Sequence, residues 1–336
     1  MPGIVDMHTH CSPAGREDPF GVRAAMAPVR AGRNMVSCYR GLPAVNYHEL
    51  SDFELQQAVS AKAGITGRLI SSPFTIETVT DFSDRPAIDI VRHYNDEIAA
   101  TVAQAPKSCF GMGSLNPLDK TQIKEGERCM EQLGMKALLV CSSWHGRFVD
   151  AEESYPFWEW AEDRQVPIFL HPPRVPIGHA QQMDQYKLDE LVGRPFDTAM
   201  AVARMILSGL FDRFPRVKLV IAHMGGGLLP VMGRLNFGYR LGCDGMPERA
   251  QIKCKNLPSD YLGLLHVDTM GIWAPHLKEA VEVFGPDRVM FGTDYGPVPI
   301  DPSEHVQMVE ALDLPAGDKE KIFWRNADKF FGLGLA

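Results

Sequence analysis

The 336-residue chain has no surplus of positive charge, because 34 lysines and arginines stand against 42 aspartates and glutamates, a formal net charge of −8. A protein that binds phosphate backbones needs a basic surface, so we expect no nucleic-acid partner. The chain also lacks a run of about 18 apolar residues, the length that spans a bilayer, which argues against a membrane protein. Its first ten residues, MPGIVDMHTH, have no signal-peptide pattern, and we therefore expect a cytoplasmic location.

Cysteine is scarce and scattered along the chain. The seven cysteines are odd in number and are never spaced as Cys-x-x-Cys. This spacing argues against a disulfide framework and against a zinc ribbon. Cys11 directly follows a histidine motif, but a nucleophilic role would require a lowered thiol pKa, which sequence does not reveal.

Short apolar runs alternate with helical patterns along the whole chain. Eight strands that are each followed by a helix predict a (β/α)8 barrel of the TIM type, an α/β fold. The predicted strands span residues 3–8, 67–71, 109–115, 137–142, 167–171, 218–223, 263–268 and 288–293. The predicted helices span residues 51–63, 86–104, 122–133, 154–164, 196–210, 228–239 and 274–284, with a closing pair between 302 and 331.

A barrel of this type needs about 250 residues, so some tens remain for insertions. Residues 11–48, rich in glycine, proline and arginine, separate the first strand from the first helix. A connection this long is usually a lid, a small subdomain or part of an interface. Because no repeat or linker is visible, we expect one domain over residues 1–336 with this insertion.

Polar residues at the carboxyl ends of barrel strands are the candidates for chemistry. His8 and His10 end the first predicted strand two residues apart, and such residues point to the same side of an extended chain. His171 and His223 end the fifth and sixth strands, and Asp294 follows the eighth. Strands one and eight are neighbours in a closed barrel, with five and six across its mouth, so the five side chains can surround one centre.

Three imidazoles and one carboxylate suit a divalent transition metal with one open position, zinc first and Mn2+ or Co2+ as alternatives. Such an ion lowers the pKa of coordinated water from 15.7 towards ~7. The fourth histidine is then available as a general acid or base. We expect no organic cofactor.

The other histidines carry weaker signals. His145 follows the fourth strand and either lines the pocket or is solvated, and His179 lies in the loop after the fifth strand. His266 lies within the seventh strand, so we expect it in the barrel wall. Four histidines in loop or helix contexts are expected to be solvated: His48, His93, His276 and His305.

The order H-x-H, His, His, Asp resembles the metal-dependent amidohydrolase superfamily, and more narrowly its branch of aminocarboxymuconate-semialdehyde decarboxylase and related non-oxidative decarboxylases. The resemblance covers the chain from residue 1 to the final helix, except for residues 11–48. Its most specific part is the long middle segment. The segments that carry it are IVDMHTH, CFGMGSLNP, FLHPP, LVGRPFDTAMAVARMILSGLFDRFPRVKLVIAHMGGGLLPVMGRL and VMFGTDYGPVP.

The resemblance implies that His8, His10, His171 and Asp294 bind the metal, and that His223, acting beside Asp294, handles protons. It implies a carboxy-lyase that acts on a small unsaturated or aromatic carboxylate, in aromatic catabolism. The metal holds an oxygen of the substrate or water, and the histidine delivers the proton at close range.

Substrate binding is implied for Arg234, which lies eleven positions after His223, where the decarboxylase has an arginine that crosses a dimer interface. A guanidinium fork suits a carboxylate, and a homodimer or higher homo-oligomer is therefore expected. A second arginine of the decarboxylase has no match in residues 44–49. Arg174 is a candidate substitute, in a Pro-Pro-Arg turn that replaces a tryptophan-containing one, and His145 is a further candidate for substrate binding.

The same architecture also supports hydrolysis. Close relatives cleave C–C, C–O or C–N bonds of ring-cleavage products, lactones or amides, and fold and ligands do not separate these reactions. A metal-dependent hydrolase therefore remains the alternative function. A barrel without catalytic activity is disfavoured because all five site residues are retained.

Overall fold

The computed structural model describes residues 3–12, 29–31, 34–39, 42–46, 48–73, 86–178, 183 and 185–335. Its strands are β1 (Ile4–His10), β2 (Val29–Ala31), β3 (Asn34–Tyr39), β4 (Leu42–Asn46), β5 (Ile65–Ser71), β6 (Cys109–Ser114), β7 (Ala137–Cys141), β8 (Ser143–Trp144), β9 (Arg147–Phe148), β10 (Pro167–His171), β11 (Lys218–Ile221), β12 (Leu265–Asp268) and β13 (Val289–Met290).

Eight of these strands form one parallel sheet in the order β1-β5-β6-β7-β10-β11-β12-β13. The sheet returns to its first strand, because Met7 N donates to Phe291 O at 2.9 Å and Asp294 N donates to His8 O at 2.7 Å. His10 N also donates to Tyr295 O at 3.1 Å. All eight predicted barrel strands are present, so the (β/α)8 prediction is confirmed.

The α-helices cover the outside of the barrel. They are α1 (Phe53–Lys62), α2 (Ala87–Val102), α3 (Ile123–Glu131), α4 (Tyr155–Asp163), α5 (Arg194–Leu207), α6 (Leu210–Arg213), α7 (Leu228–Leu241), α8 (Ala274–Phe284), α9 (Pro302–Glu310), α10 (Ala316–Glu320) and α11 (Asn326–Phe331). Asp52 caps the N-terminus of α1, because its carboxylate accepts a hydrogen bond from Leu55 N at 2.9 Å. In the part of the chain that the structure describes, no helix combines the length and apolar character needed to cross a bilayer.

The core is continuous from the barrel interior to the inner faces of the helices. The strands β7 and β10 are buried along their full length, as expected for parallel strands that are covered on both sides. Charged and polar side chains enter this core at the carboxyl ends of the strands. The polar residues that end these apolar strands therefore meet in one buried site.

Part of the insertion forms a small antiparallel sheet of β2, β3 and β4, which the sequence did not predict. Strands of three to six residues are too short for their alternation to stand out from a loop. The segment's role as a lid or subdomain stays a prediction, as does a single domain over residues 1–336.

Candidate metal centre

Four of the predicted residues meet at the mouth of the barrel. The ligand atoms of His8, His10, His171 and Asp294 lie within 4.8 Å of one another, and all four residues are buried. Asp294 Oδ1 lies 3.1 Å from His10 Nε2 and 3.4 Å from His8 Nε2. The two Nε2 atoms are 3.2 Å apart. The structure therefore brings the predicted ligand set together.

The loop after β13 is fastened to β1, and this places Asp294. Thr293 Oγ1 donates to Asp6 Oδ2 at 2.6 Å, and Asp6 Oδ1 accepts hydrogen bonds from Thr293 N and His8 N at 3.1 Å each. Asp294 itself has a φ of 56°, a left-handed conformation that non-glycine residues rarely adopt. The surrounding hydrogen bonds hold this conformation, as is common for strained residues at functional sites.

Each histidine of the cluster is oriented through its other ring nitrogen. His8 Nδ1 lies 2.6 Å from Asp268 Oδ2, His10 Nδ1 lies 2.8 Å from Ser71 Oγ, and His171 Nδ1 lies 3.0 Å from Pro172 O. Such outer contacts fix each ring so that its Nε2 atom faces the centre of the cluster, where a metal ion would be held. Sequence reasoning did not single out Asp268, although it ends the seventh predicted strand and the rule used for the histidines selects it.

The buried atoms at the centre fit a divalent cation. His171 Nε2 is buried and has no hydrogen-bond partner among the described residues, and Asp294 Oδ1 is buried against the Nε2 atoms of His8 and His10. Buried polar atoms are almost always satisfied, and nitrogen and carboxylate oxygen are the usual ligands of zinc. The three histidines and the aspartate thus form a group that can hold one divalent metal ion.

The electrostatics favour binding of a cation. Burial, reinforced by the neighbouring imidazoles, holds the pKa of His171 well below its usual range, and the neutral imidazole is the form that binds metals. Burial alone would raise the pKa of Asp294, but the surrounding histidines outweigh it and hold the pKa well below its usual range. Asp294 is therefore ionised, as metal binding requires. Burial would lower the pKa of His8, but the carboxylates of Asp294 and Asp268 raise it to about 10, so His8 must release a proton when it binds a metal.

His223 lies beside the four ligands and faces a cavity. Its Nε2 is 3.5 Å from Asp294 Oδ2, and both residues line a cavity of about 330 Å³. The residue follows β11 with a φ of 58°, and the next residue, Met224, donates its N–H to Asp268 Oδ1 at 2.9 Å. Asp268 therefore positions both His8 and the loop of His223.

The other substrate-binding candidates lie elsewhere. Arg234 is exposed on α7, His145 is exposed in the turn between β8 and β9, and Arg174 is half-buried after β10. These three residues do not line the cavity described above. Their roles in substrate binding stay predictions.

One expectation about the histidines changes. The prediction that His305 is solvated is wrong, because its exposed fraction is only 2%. His276 is half-buried and lines the cavity. His266 lies in β12 as predicted, 4.6 Å from the ring of Phe330. His179 and the side chain of His48 lie outside the described residues.

Cys11 is buried, and burial raises the pKa of its thiol to about 12. A thiol with a raised pKa is protonated at neutral pH, whereas the nucleophilic form is the thiolate. Cys11 is therefore not an activated nucleophile.

The sequence was compared with known proteins. A family model described as Amidohydrolase matches residues 5–333. The chain belongs to this amidohydrolase family. The resemblance inferred from the strand-end motifs is thereby confirmed.

Curated relatives of this amidohydrolase include two decarboxylases. The 2-amino-3-carboxymuconate-6-semialdehyde decarboxylase of Dictyostelium discoideum is 32% identical over 250 residues, covering 74% of this chain and 67% of the relative. The gamma-resorcylate decarboxylase of Polaromonas sp. (strain JS666) is 30% identical over 265 residues, covering 74% and 77%.

Solved structures share the barrel of this amidohydrolase. The 5-carboxyvanillate decarboxylase from Sphingomonas paucimobilis has a TM-score of 0.79 at 25% identity and covers 99% of both chains. The dihydroxybenzoic acid decarboxylase from Polaromonas sp. JS666, with bound manganese and the inhibitor 2-nitroresorcinol, has a TM-score of 0.79 at 24% identity, covering 100% and 98%.

Proposed function

We propose that this amidohydrolase is a metal-dependent, non-oxidative decarboxylase of a small unsaturated or aromatic carboxylate, acting in aromatic catabolism. The observation that carries the proposal is the buried group of three imidazoles and one carboxylate, with His223 facing the adjoining cavity. The names of the relatives support the reaction class, since they are decarboxylases of unsaturated or aromatic acids.

His8, His10, His171 and Asp294 would hold the metal. A donor set of three nitrogens and one oxygen favours zinc, and the manganese of the Polaromonas structure makes Mn2+ the first alternative. When bound, a divalent ion supplies positive charge that polarises an oxygen of the substrate.

His223 is the proton donor of the proposed reaction. Its side chain is 15% exposed, so it reaches the cavity, and its Nε2 atom lies 3.5 Å from Asp294 Oδ2. The proton is added to the carbon that bears the carboxylate. The bond between this carbon and the carboxylate then breaks, its electron pair restores the conjugated system, and CO2 leaves. His223 regains its proton from solvent, so the overall change is exchange of a carboxylate for hydrogen.

The proposal is tested with protein that has been stripped of metal and reloaded with zinc or manganese. A panel of hydroxybenzoates, benzene dicarboxylates and muconates is supplied in deuterated water, and CO2 and the product are measured. We expect CO2 together with a product that carries one deuterium at the vacated carbon. His223→Gln should retain the metal and lose about 10²- to 10⁴-fold in rate, the usual contribution of a general acid. Hydrolysis of a lactone or amide by metal-loaded protein that releases no CO2 would instead establish the hydrolase alternative.

A homodimer or higher homo-oligomer is part of the proposal. Arg234 is exposed on α7 and does not line the cavity of its own chain, so a role in substrate binding requires a second copy. Large apolar side chains are exposed on the same helix and on the neighbouring α5. They are Phe196, Met200, Phe237 and Leu241. An exposed apolar surface of this kind is typical of a subunit interface.

Complementation tests this arrangement. Arg234→Ala and His8→Ala should each be inactive alone, whereas refolding them together should restore activity, because a mixed dimer contains one complete site. Light scattering on each sample establishes the oligomeric state. Absence of activity in a mixture that does contain dimers would show that Arg234 does not serve the neighbouring site.

A cytoplasmic location is also proposed. The six cysteines whose side chains the structure describes are free thiols, and five of them are buried. Free thiols are typical of proteins in reducing compartments. Detection of the protein in a cytosolic fraction, without a membrane-bound pool, tests this part of the proposal.

A further inference from the structure

The cavity beside the metal centre has an uneven distribution of charge. Arg194 is the one lysine or arginine among the described residues that line it, and it faces the same space as His223 and Asp294. His276 also lines the cavity, and its Nε2 atom is buried without a hydrogen-bond partner. A ligand in this cavity therefore meets one fixed cation besides any bound metal.

Among the residues that the structure describes, no carboxylate forms an ion pair with the guanidinium of Arg194. Its Nε atom is buried and makes no hydrogen bond within the part of the chain that the structure describes. Glu190 lines the same cavity but lies 3.1 Å from Lys187 Nζ, with which it forms an ion pair. A half-buried guanidinium without an anion is unfavourable, and a carboxylate that accepts two parallel N–H bonds is its best partner.

The backbone holds Arg194 beside the loop of His223. Arg194 is the first residue of α5, and Pro195 O accepts a hydrogen bond from Gly227 N at 3.4 Å. Gly226 comes so close that a Cβ atom there would lie 2.3 Å from Pro195 O. The start of α5 is therefore packed directly against the loop that carries the proton donor. The Arg194 charge also adds to the effect of burial in lowering the pKa of His171, which agrees with a position near the metal ligands.

The chemistry of decarboxylation restricts which group Arg194 can hold. Loss of CO2 turns the departing carboxylate into a neutral molecule. An ion pair with that group is therefore stronger in the bound substrate than in the transition state, and it would slow the reaction. A cation in this cavity is better used on an anionic group that the product keeps.

We propose that Arg194 binds a second carboxylate of the substrate, one that the product retains, and so selects unsaturated or aromatic dicarboxylates. This inference rests on the decarboxylase function proposed above and names its substrate class. Arg194 is then a specificity-determining residue.

The first experiment measures binding without turnover. Metal-loaded wild type, Arg194→Gln, Arg194→Lys and the surface control Arg164→Gln are titrated with isophthalate and with benzoate by calorimetry. We expect wild type and Arg164→Gln to bind isophthalate about 10- to 100-fold more tightly than benzoate, the range for a charge-assisted hydrogen bond. Arg194→Gln should lose this preference, and Arg194→Lys, which keeps the charge without the fork, should retain part of it. Thermal melting of each variant reports its folding.

The second experiment uses a dicarboxylate that releases CO2 in the panel. Arg194→Gln should raise KM by about 10- to 100-fold and change kcat by less than about threefold, because the lost interaction is the same in substrate and transition state. Equal preference in wild type and Arg194→Gln, or a fall in kcat with KM unchanged, overturns the inference. If no acid releases CO2, the proposed function fails, while the isophthalate titration still decides the role of Arg194.

Discussion

The two halves of the barrel mouth use the same strand geometry for different purposes. Strands β1 and β10–β13 end in, or lead directly into, the residues of the candidate metal centre and their immediate neighbours, which are His8, His10, His171, His223, Asp268 and Asp294. Strands β5, β6 and β7 end in, or lead directly into, serines, which are Ser71, Ser114 and Ser142.

The three strands that end in or lead into serines are called the serine half. Two of them, β6 and β7, are hydrogen-bonded at these ends to helices outside the barrel. Ser142 Oγ donates to Asp197 of α5 at 2.5 Å, and Ser114 exchanges two backbone hydrogen bonds with the side chain of Asn95 in α2. Ser71 reaches the metal centre only through the Nδ1 atom of His10. Parallel strands bring both sets of residues to one edge, where Ser142 holds a helix through its side chain and Ser114 holds another through its backbone.

Removal of a ligand should have the largest effect. His8→Ala should reduce bound metal from about one equivalent to none and lower activity by about 10³-fold or more, since a metal ion contributes several kcal/mol to the transition state. Mass spectrometry of the protein-bound metal and the CO2 assay measure both effects.

The matched control comes from the serine half. Ser142→Ala removes a buried hydrogen bond and should lower the free energy of unfolding by about 1–2 kcal/mol while the metal content stays unchanged. If His8→Ala keeps its metal, or Ser142→Ala loses it, the division of the mouth into two halves is wrong.

A buried histidine, His305, lies in α9, the helix that follows β13 in the chain. Burial lowers the pKa of His305 from 6.5 to about 4. Between pH 6.5 and pH 4 the unfolded chain therefore binds a proton that the folded protein does not, so stability is full above pH 6.5 and falls as the pH falls. The loss is at most about 3 kcal/mol.

Urea unfolding of metal-free protein between pH 7 and pH 4 measures this dependence. His305→Leu should show a shallower fall in the free energy of unfolding than wild type. A residual slope is expected from His266, because burial also lowers its pKa to about 4, and from His171, whose pKa burial holds well below its usual range. Identical slopes in the variant and the wild type would contradict the assignment to His305.

The smallest effects are expected from the two residues that contact the Nδ1 atoms of His8 and His10. Asp268→Asn removes the charge beside His8 and should weaken metal binding about 10- to 100-fold, as second-layer changes usually do. Ser71→Ala removes a neutral hydrogen bond to His10 and should weaken it less than about tenfold. Titration against a chelator measures both affinities, and an effect of Ser71→Ala as large as that of Asp268→Asn would remove the distinction between the halves.

Much of the fold and of the candidate metal centre can be predicted from local patterns in the sequence. Each barrel strand is a short apolar run, and the position of a residue at the end of that run is a property of the nearby sequence. His8, His10, His171, His223 and Asp294 could therefore be selected before any contact was known. The small sheet of β2–β4 could not, because its strands are too short to show alternation.

The sequence by itself determined the barrel, the four candidate ligands and the histidine beside them. Only the tertiary structure decided their partners. Asp268 orients His8 from 260 positions away, and Arg194 reaches the cavity because the start of α5 packs against a glycine loop. The burial of His305 likewise depends on how α9 is packed. These contacts join distant parts of the chain, and they exist only because closure of the barrel and docking of the helices bring those parts together.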